Sequence, residues 1–228
     1  MGYGVKFTVS GNYALFTRPE MKVERVSYDV PTPSSMIGLL SSIYWHPGIV
    51  YVIDKIYVYN DINFININRN EVNEKLSITS IKSQMKGTKQ DISIYRNEKI
   101  AQRNTLLLKD VSYGVEAHFI LNGEQDNEMD EKKCYNILLR RLKKGQHFSQ
   151  PFLGCREFSA KVNYVEGDLS TSELKGDIDL GFMLYDLQYH KDKNGNSIDK
   201  ADPRFYRPRM VDGVIDVNMY AKEGGFVC

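Results

Sequence analysis

The alternation of apolar and polar positions predicts a chain rich in β-strands. Residues 5–10 alternate apolar and polar side chains before Gly11-Asn12, a pattern typical of a half-buried strand that ends in a turn. Later segments are rich in β-branched and aromatic residues, which favour strands. They predict strands at 49–59, 62–68, 105–121 and 152–165.

Two segments between these strands predict helices. Residues 31–34 carry hydroxyl and prolyl residues that suit a first helical turn. An apolar stripe from Met36 to Ile43 follows, and Pro47-Gly48 ends the helix. The segment 130–144 has apolar residues at helical spacing. Asp130 can cap its start and Gly145 can stop it.

The order of these elements indicates the fold class. Strand, helix, strand, strand, helix, strand is the order of a ferredoxin-like (RRM-like) split βαβ unit, so we expect an α+β protein. The polar segment 69–102 reads as an insertion with at most a short hairpin. After residue 166 we find only strand candidates, at 178–189, 205–211 and 214–219. We therefore expect a ferredoxin-like domain over 1–165 and a small β-rich C-terminal appendage over 166–228.

Composition narrows the possible functions. Thirty basic and twenty-nine acidic residues among 228 leave no overall basic footprint, so any nucleic-acid binding must come from local clusters. Three cysteines without metal-ligand spacing favour reduced thiols and predict no structural zinc. No uncharged 18-residue stretch or leader pattern is present, so we expect an intracellular, cytoplasmic protein that makes no membrane contact.

One local cluster is basic. The segment 140–157 combines cations with glycines and phenylalanines, which suits phosphate contacts and unstacked bases. A solvated helix end that favours cations explains the same residues equally well. The cations are Arg140, Arg141, Lys143, Lys144 and Arg156.

Known hydrolase and metal signatures are absent from the sequence. It has neither GxSxG nor GxxxxGK[ST], and its four histidines lie in different elements without metal-ligand spacing. Tyr44 and His46, at the end of the first helix, could transfer protons on a phosphodiester. Residue pattern alone favours Tyr44 as a core side chain. We also expect Trp45 to be buried, because it is the single tryptophan of the chain.

Four blocks of the sequence, taken together, resemble one family. They are ALFTRPEMKVERVSYDVPTPSSMIGLLSSIYWHP (14–47), RNEV (69–72), LKDVSYGVEAHF (108–119) and LLRRLKKGQHFSQPFLGCREF (138–158). The chain resembles the type I-C member of the CRISPR-associated Cas-five family, in the repeat-associated RNA-binding superfamily, over about residues 3–190. The resemblance implies a Cascade surveillance-complex subunit that holds the 5′ handle of the crRNA. Its implied partners are pre-crRNA repeats, the backbone and large subunits, and target DNA through the assembled complex.

The resemblance also implies an endoribonuclease activity without a cofactor or metal ion. In the family, a ribose 2′-OH attacks the adjacent phosphodiester, and the matching catalytic residues here are Tyr44, Lys133 and Cys134. Cys134 stands where the family has histidine, and an unperturbed thiol is a poorer acid or base near neutral pH. His46 and His147 are candidate substitutes. Cleavage with Tyr44 and Lys133 alone, cleavage through another histidine, and RNA binding without cleavage all remain open.

We expect RNA phosphates to contact two basic groups, one in the first loop and one near the end of the second helix. These residues are Arg18, Lys22 and Arg25, followed by Arg140, Arg141, Lys143 and Lys144. The alternative to an enzyme is a non-catalytic handle-binding and assembly subunit whose 69–102 insertion docks a neighbouring backbone subunit.

Overall fold

Strand pairing organises the chain, as the alternating pattern predicts. A computed structural model describes residues 3–21, 23–87, 92–123, 130–191 and 197–222. Its strands are β1 (Gly4–Ala14), β2 (Arg25–Val26), β3 (Ile49–Val58), β4 (Asn63–Val72), β5 (Ile100–Leu121), β6 (Lys161–Tyr164), β7 (Asp177–Asp179), β8 (Met183–Lys191), β9 (Ser197–Tyr206), β10 (Arg209–Val211) and β11 (Val214–Asp216). Its helices are α1 (Pro33–Ile43), α2 (Ile78–Met85), α3 (Glu131–Lys144) and α4 (Val217–Lys222). The fold is mixed α/β with a mostly antiparallel sheet.

The main sheet is built around β5. Its central path runs β6-β1-β5-β3-β11-β10-β7, and every neighbouring pair along this path is antiparallel. The first half of β5 also pairs with β4 and, in parallel, with β2. Strands β8 and β9 form a separate hairpin. One 22-residue strand therefore holds together most of the first 121 residues.

The two predicted helices form with the expected caps. Thr32 accepts a hydrogen bond from the Ser35 N–H at the start of α1. Asp130 accepts one from the Lys132 N–H at the start of α3, and Gly145 ends that helix in the left-handed conformation. None of the four helices in the described part of the chain is long and apolar enough to cross a membrane.

The core joins both parts of the chain. Apolar residues of β1, β3, β5, α1 and α3 pack in one cluster with Met183, Tyr206 and Ile215 from beyond residue 166. Strand β11 also hydrogen-bonds to β3. The division into 1–165 and 166–228 stays a prediction, but its second part shares the core and the sheet of the first.

Three expected elements differ in the structure. The strand predicted at 152–165 is confined to β6, because Gly154 turns the chain with φ +81° directly beneath the Leu15 carbonyl. The strand predicted at 214–219 stops at Asp216, whose carboxylate accepts the Met219 N–H and so starts α4. The insertion at 69–102 continues β4 and β5 beyond the core as an arm that also carries α2, a helix with no buried residue.

Candidate active site

The end of α1 turns Tyr44 inward and Trp45 outward. Tyr44 has extended backbone angles, φ −144° and ψ 121°, and consecutive side chains of an extended chain point to opposite sides. Tyr44 is 6% exposed, whereas Trp45 is 61% exposed. The expectation that Trp45 is a core residue was therefore wrong, because the neighbouring Tyr44 is the aromatic residue that is buried at this corner.

Tyr44 packs against one face of α3. Cys134 and Arg141 lie seven residues apart, so they share the side of α3 that meets Tyr44. The Arg141 guanidinium carbon lies 5.2 Å from the centre of the Tyr44 ring. Cys134 is fully buried, and its thiol faces the tyrosine hydroxyl. The structure thus brings together two of the residues that the resemblance implies, Tyr44 and Cys134, and adds Arg141.

Burial controls the protonation of Tyr44. Desolvation, reinforced by the Cys134 thiol and opposed by Arg141, raises the pKa of Tyr44 to about 12. Its hydroxyl oxygen is buried against the Cys134 thiol, which is a weak hydrogen-bonding group. At neutral pH this group is therefore a neutral phenol, which can donate a hydrogen bond but is a weak base.

Main-chain hydrogen bonds fix the same corner. Tyr51 Oη donates to the Tyr44 carbonyl at 2.6 Å, and Arg141 Nη1 donates to the Ile43 carbonyl at 2.6 Å. Burial also raises the pKa of Tyr51 well above its ordinary value. The end of α1 is thus held from one side by β3 and from the other by α3.

The loop after α3 docks on the same helix end. The N–H groups of Phe148 and Ser149 both donate to the Ser42 carbonyl, at 2.9 and 3.0 Å. This loop and the end of α1 border a cavity of about 150 Å³ that includes Arg141 and His147. His147 and Phe148 are exposed. The loop therefore places an imidazole and a phenyl ring close to the Tyr44 corner.

His46 lies two residues after Tyr44 and is half-buried. Its Nδ1 accepts the Gly48 N–H at 3.2 Å, which assigns the ring proton to Nε2 in the neutral form. The same turn closes through the Ile49 N–H and the His46 carbonyl at 3.0 Å. One nitrogen of His46 thus serves the turn and only Nε2 is left for proton transfer.

Lys133 opens toward solvent instead of toward the core. It lies on the exposed side of α3 and borders a groove of about 470 Å³ together with Lys132, Asn136 and Arg140. Asp130 supplies the acidic group of this groove. The catalytic role that the resemblance implies for Lys133 stays a prediction, and the α3 side chains that pack against Tyr44 are those of Cys134 and Arg141.

Two predicted RNA-binding residues of the first loop, Arg18 and Arg25, already contact other residues of the fold to different extents. Arg18 pairs with Asp29 at 3.4 Å and lies 4.6 Å from the centre of the Tyr28 ring, so it already has partners within the fold. Arg25 faces Glu71 at 3.5 Å. Lys22 lies outside the described residues.

The two lysines at the end of α3 also differ. Lys143 contacts Glu166 at 3.4 Å and lies over the Tyr164 ring, whereas Lys144 is exposed at the helix end. With the exposed Arg140, they give the end of α3 a cationic surface. Cations at this position also complement the helix dipole.

Sequence reasoning missed how Arg141 acts. It was grouped with exposed phosphate-binding cations, yet it supports the backbone of α1 and covers the Tyr44 ring. The signal was present in the seven-residue spacing from Cys134, which places both residues on one helix face. Tyr51 was missed as well, because its role depends on a contact between β3 and the end of α1.

Comparisons with known proteins agree with this architecture. Residues 4–218 match the family described as CRISPR-associated protein (Cas_Cas5). A CRISPR pre-crRNA endoribonuclease Cas5d of Mannheimia succiniciproducens is 40% identical over 98% of this chain and 99% of its own length. One of Thermus thermophilus, with the same name, is 36% identical over 93% of this chain and 90% of its own length.

Two solved structures share the fold. One is a CRISPR-associated protein and the other a functionally uncharacterized protein, SMU1763c, from Streptococcus mutans. Each has a TM-score of 0.64 at 24% identity; the matches cover 93% and 94% of this chain and 90% and 91% of those chains. Because the family match and two relatives above 30% identity extend over nearly the whole chain, this chain belongs to the CRISPR-associated Cas5 family.

Proposed function

We propose that this chain is the type I-C pre-crRNA endoribonuclease, which cuts within repeats and then holds the crRNA 5′ handle in a Cascade surveillance complex. The observation that carries the proposal is the packing of Tyr44 against Cys134 and Arg141. Tyr44 and Cys134 occupy the end of α1 and the start of α3, where the family resemblance implies catalytic groups. The 40% identical relative, named as a pre-crRNA endoribonuclease over matching lengths, supports the same activity.

The proposed reaction is an internal transesterification. The ribose 2′-oxygen attacks the adjacent phosphorus and loses its proton, while the 5′-oxygen leaves and takes up a proton. The products are a 2′,3′-cyclic phosphate and a 5′-hydroxyl. The protein must position the 2′-OH, stabilise the charge on the phosphorane and provide groups that exchange protons.

Tyr44 suits the positioning role. With a pKa of about 12 its phenol stays protonated at neutral pH, so it acts as a hydrogen-bond donor to the reacting ribose or phosphate. Its hydroxyl is buried in the unbound chain. Contact with RNA therefore requires a local rearrangement of the helix end or of the loop that docks on it.

Lys133 suits charge stabilisation. It lies with Lys132 and Arg140 along one groove of α3, and three cations in a groove favour a phosphate chain. His46 Nε2 and the exposed His147 are the imidazole groups near this corner that can exchange protons.

We further propose that residues 1–165 form the ferredoxin-like unit of this fold. The antiparallel order β6-β1-β5-β3, with α1 between β1 and β3 and α3 between β5 and β6, supports it. Residues 166–228 are then the β-rich C-terminal part, which extends the sheet through β11. This arrangement places α1 and α3 side by side, as the proposed site requires.

Cleavage of the repeat RNA of the same genome tests the proposal. The purified chain is incubated with that RNA in EDTA, and the product ends are identified. A 2′,3′-cyclic phosphate product that disappears in Tyr44→Phe supports the enzyme. Cys134→Ala, His46→Ala and His147→Ala then assign the proton-exchanging group, since the variant that loses cleavage while still binding RNA identifies it.

A second function is favoured by the burial of Tyr44. A hydroxyl closed off from solvent and a thiol in place of imidazole suit a non-catalytic subunit that binds the handle and assists assembly. The exposed apolar residues of the arm, including Ile78 and Met85, suit docking of its insertion on a neighbouring subunit. In the same assay this subunit leaves repeat RNA intact at any protein excess and still binds it tightly.

A further inference from the structure

Two aromatic rings stand in solvent at the end of α1. Trp45 is 61% exposed and Phe148 is 82% exposed, although both are large apolar side chains that folding normally buries. They come from segments 103 residues apart in sequence, yet the Phe148 N–H bonds the carbonyl of Ser42, three residues before Trp45. The fold therefore gathers them at one corner without using them in its core.

The backbone beneath both rings is fixed. Trp45 directly follows the cap residue of α1, whose carbonyl accepts the Tyr51 hydroxyl. Phe148 follows the left-handed Gly145 and is held, with Ser149, by the Ser42 carbonyl. Because the backbone is already fixed, binding has to order only the two side-chain torsions of each ring, which lowers the entropic cost of stacking.

The surroundings indicate what covers them. The chain as a whole is nearly neutral, but the adjoining end of α3 carries exposed Arg140 and Lys144, and Arg141 reaches the corner itself. A ligand that offers both flat π-faces and closely spaced negative charge fits cations beside exposed rings. Unstacked bases on a phosphate backbone have both properties.

We infer that Trp45 and Phe148 form a base-stacking platform that holds unpaired nucleotides of the repeat RNA beside Tyr44. This inference rests on the proposed RNA-binding function and adds to it how the RNA is held near the reacting phosphate. The two rings recognise base faces, while the cations of α3 recognise phosphates.

Trp45 reports directly on this contact, because it is the single tryptophan of the chain. Intrinsic fluorescence of the wild-type protein is followed during titration with the repeat RNA, and binding is measured independently by anisotropy of labelled RNA. We expect the tryptophan emission to be quenched in step with binding. Trp45→Leu and Phe148→Leu each weaken binding about 5- to 150-fold, the range expected for loss of one stacked base.

Salt dependence separates stacking from charge. Loss of a stacking ring weakens binding by the same factor at every salt concentration, because the slope of log affinity against log salt counts phosphate contacts. Tyr189→Leu is the matched control, since Tyr189 is 58% exposed on the separate β8–β9 hairpin. We expect this control to bind RNA like the wild type.

Each outcome has a definite meaning. If RNA binds while tryptophan emission stays constant and Trp45→Leu binds equally well, the stacking inference is overturned and the proposed function stands. If Trp45→Leu binds RNA normally but no longer associates with other complex subunits, the platform belongs to a protein interface and the inference is again wrong. If no repeat RNA binds at all, the proposed function fails and the inference fails with it.

Discussion

Replacement of Tyr44 by phenylalanine removes one buried oxygen and nothing else. That hydroxyl is buried against the Cys134 thiol, a weak hydrogen-bonding group, and burial of a fully unsatisfied hydroxyl costs about 1–3 kcal/mol. The thiol of Cys134, which faces it, and the small void left by the oxygen offset part of this gain. We expect the free energy of unfolding of Tyr44→Phe to be unchanged or higher by up to about 1 kcal/mol. Its melting temperature then rises by at most about 4 °C.

Tyr51→Phe is the matched control for this change. Tyr51 is a second buried tyrosine in the same cluster, but its hydroxyl donates to the Tyr44 carbonyl at 2.6 Å. Its loss leaves that carbonyl unsatisfied, so we expect a cost of about 1–3 kcal/mol. Urea denaturation of the wild type and both variants measures the difference.

Cleavage completes the comparison. We expect Tyr44→Phe to lose cleavage of repeat RNA in EDTA while it keeps its stability, which would identify the hydroxyl as a group retained for function. If Tyr44→Phe is destabilised as much as Tyr51→Phe, the hydroxyl has a structural partner and the reasoning from its burial is refuted. Normal cleavage by a stable Tyr44→Phe would instead exclude the hydroxyl from the reaction.

Three further predictions concern the turn at Gly154, the pH dependence of stability and the salt dependence of RNA binding. Gly154→Ala places a Cβ 2.0 Å from the Leu15 carbonyl oxygen. Gly167→Ala is the control, because Gly167 also has a positive φ, with a backbone strain of about 1–3 kcal/mol for alanine, but has open space around it. We expect the Gly154 variant to unfold at a lower urea concentration than the control. Because the raised pKa of Tyr44 favours the neutral phenol in the fold, its contribution to stability is complete below pH 10 and is lost between pH 10 and about 12. Denaturation across that range should show a shallower fall for Tyr44→Phe than for the wild type. Lys144→Gln should reduce the salt slope of RNA binding by about one, whereas Lys82→Gln on α2 should leave it unchanged.

Elements with local signals were predictable from the sequence. Thr32 and Asp130 cap α1 and α3 at the expected positions, and Gly145 ends α3, because capping depends on residues close in sequence. The alternating pattern of β1 and the β-branched composition of β3 identified those strands for the same reason. The strand and helix order therefore follows from local chemistry.

Features set by distant contacts were not predictable. Gly154 turns the chain next to the Leu15 carbonyl, so only Lys161–Tyr164 of the strand predicted at 152–165 is formed. No local sequence pattern predicts this turn. The exposure of Trp45 depends on which of two adjacent aromatics meets α3. Residue type alone favours burial for both. The extended backbone at Tyr44 sends them to opposite sides, and packing against α3 buries Tyr44.

The candidate site shows the same division. The family resemblance implies the end of α1 and the start of α3 through Tyr44, Lys133 and Cys134. The support that Arg141 and Tyr51 give to the backbone of α1 depends on packing between three elements, and so it appears only in three dimensions. The seven-residue spacing places Arg141 on the same face of α3 as Cys134, but the contact of that face with α1 is not contained in the spacing.

The position of β5 in the chain sets the order in which the protein can fold during synthesis. Strand β1 pairs with residues 108–118 of β5 and with β6, so the first 100 residues leave the ribosome before either partner strand. At about 5–20 residues per second, the N-terminal strand waits roughly 5–20 seconds without a partner edge. The nascent chain therefore exposes an apolar strand over that interval, and a ribosomal pause before residue 121 would lengthen its exposure to chaperones and to aggregation.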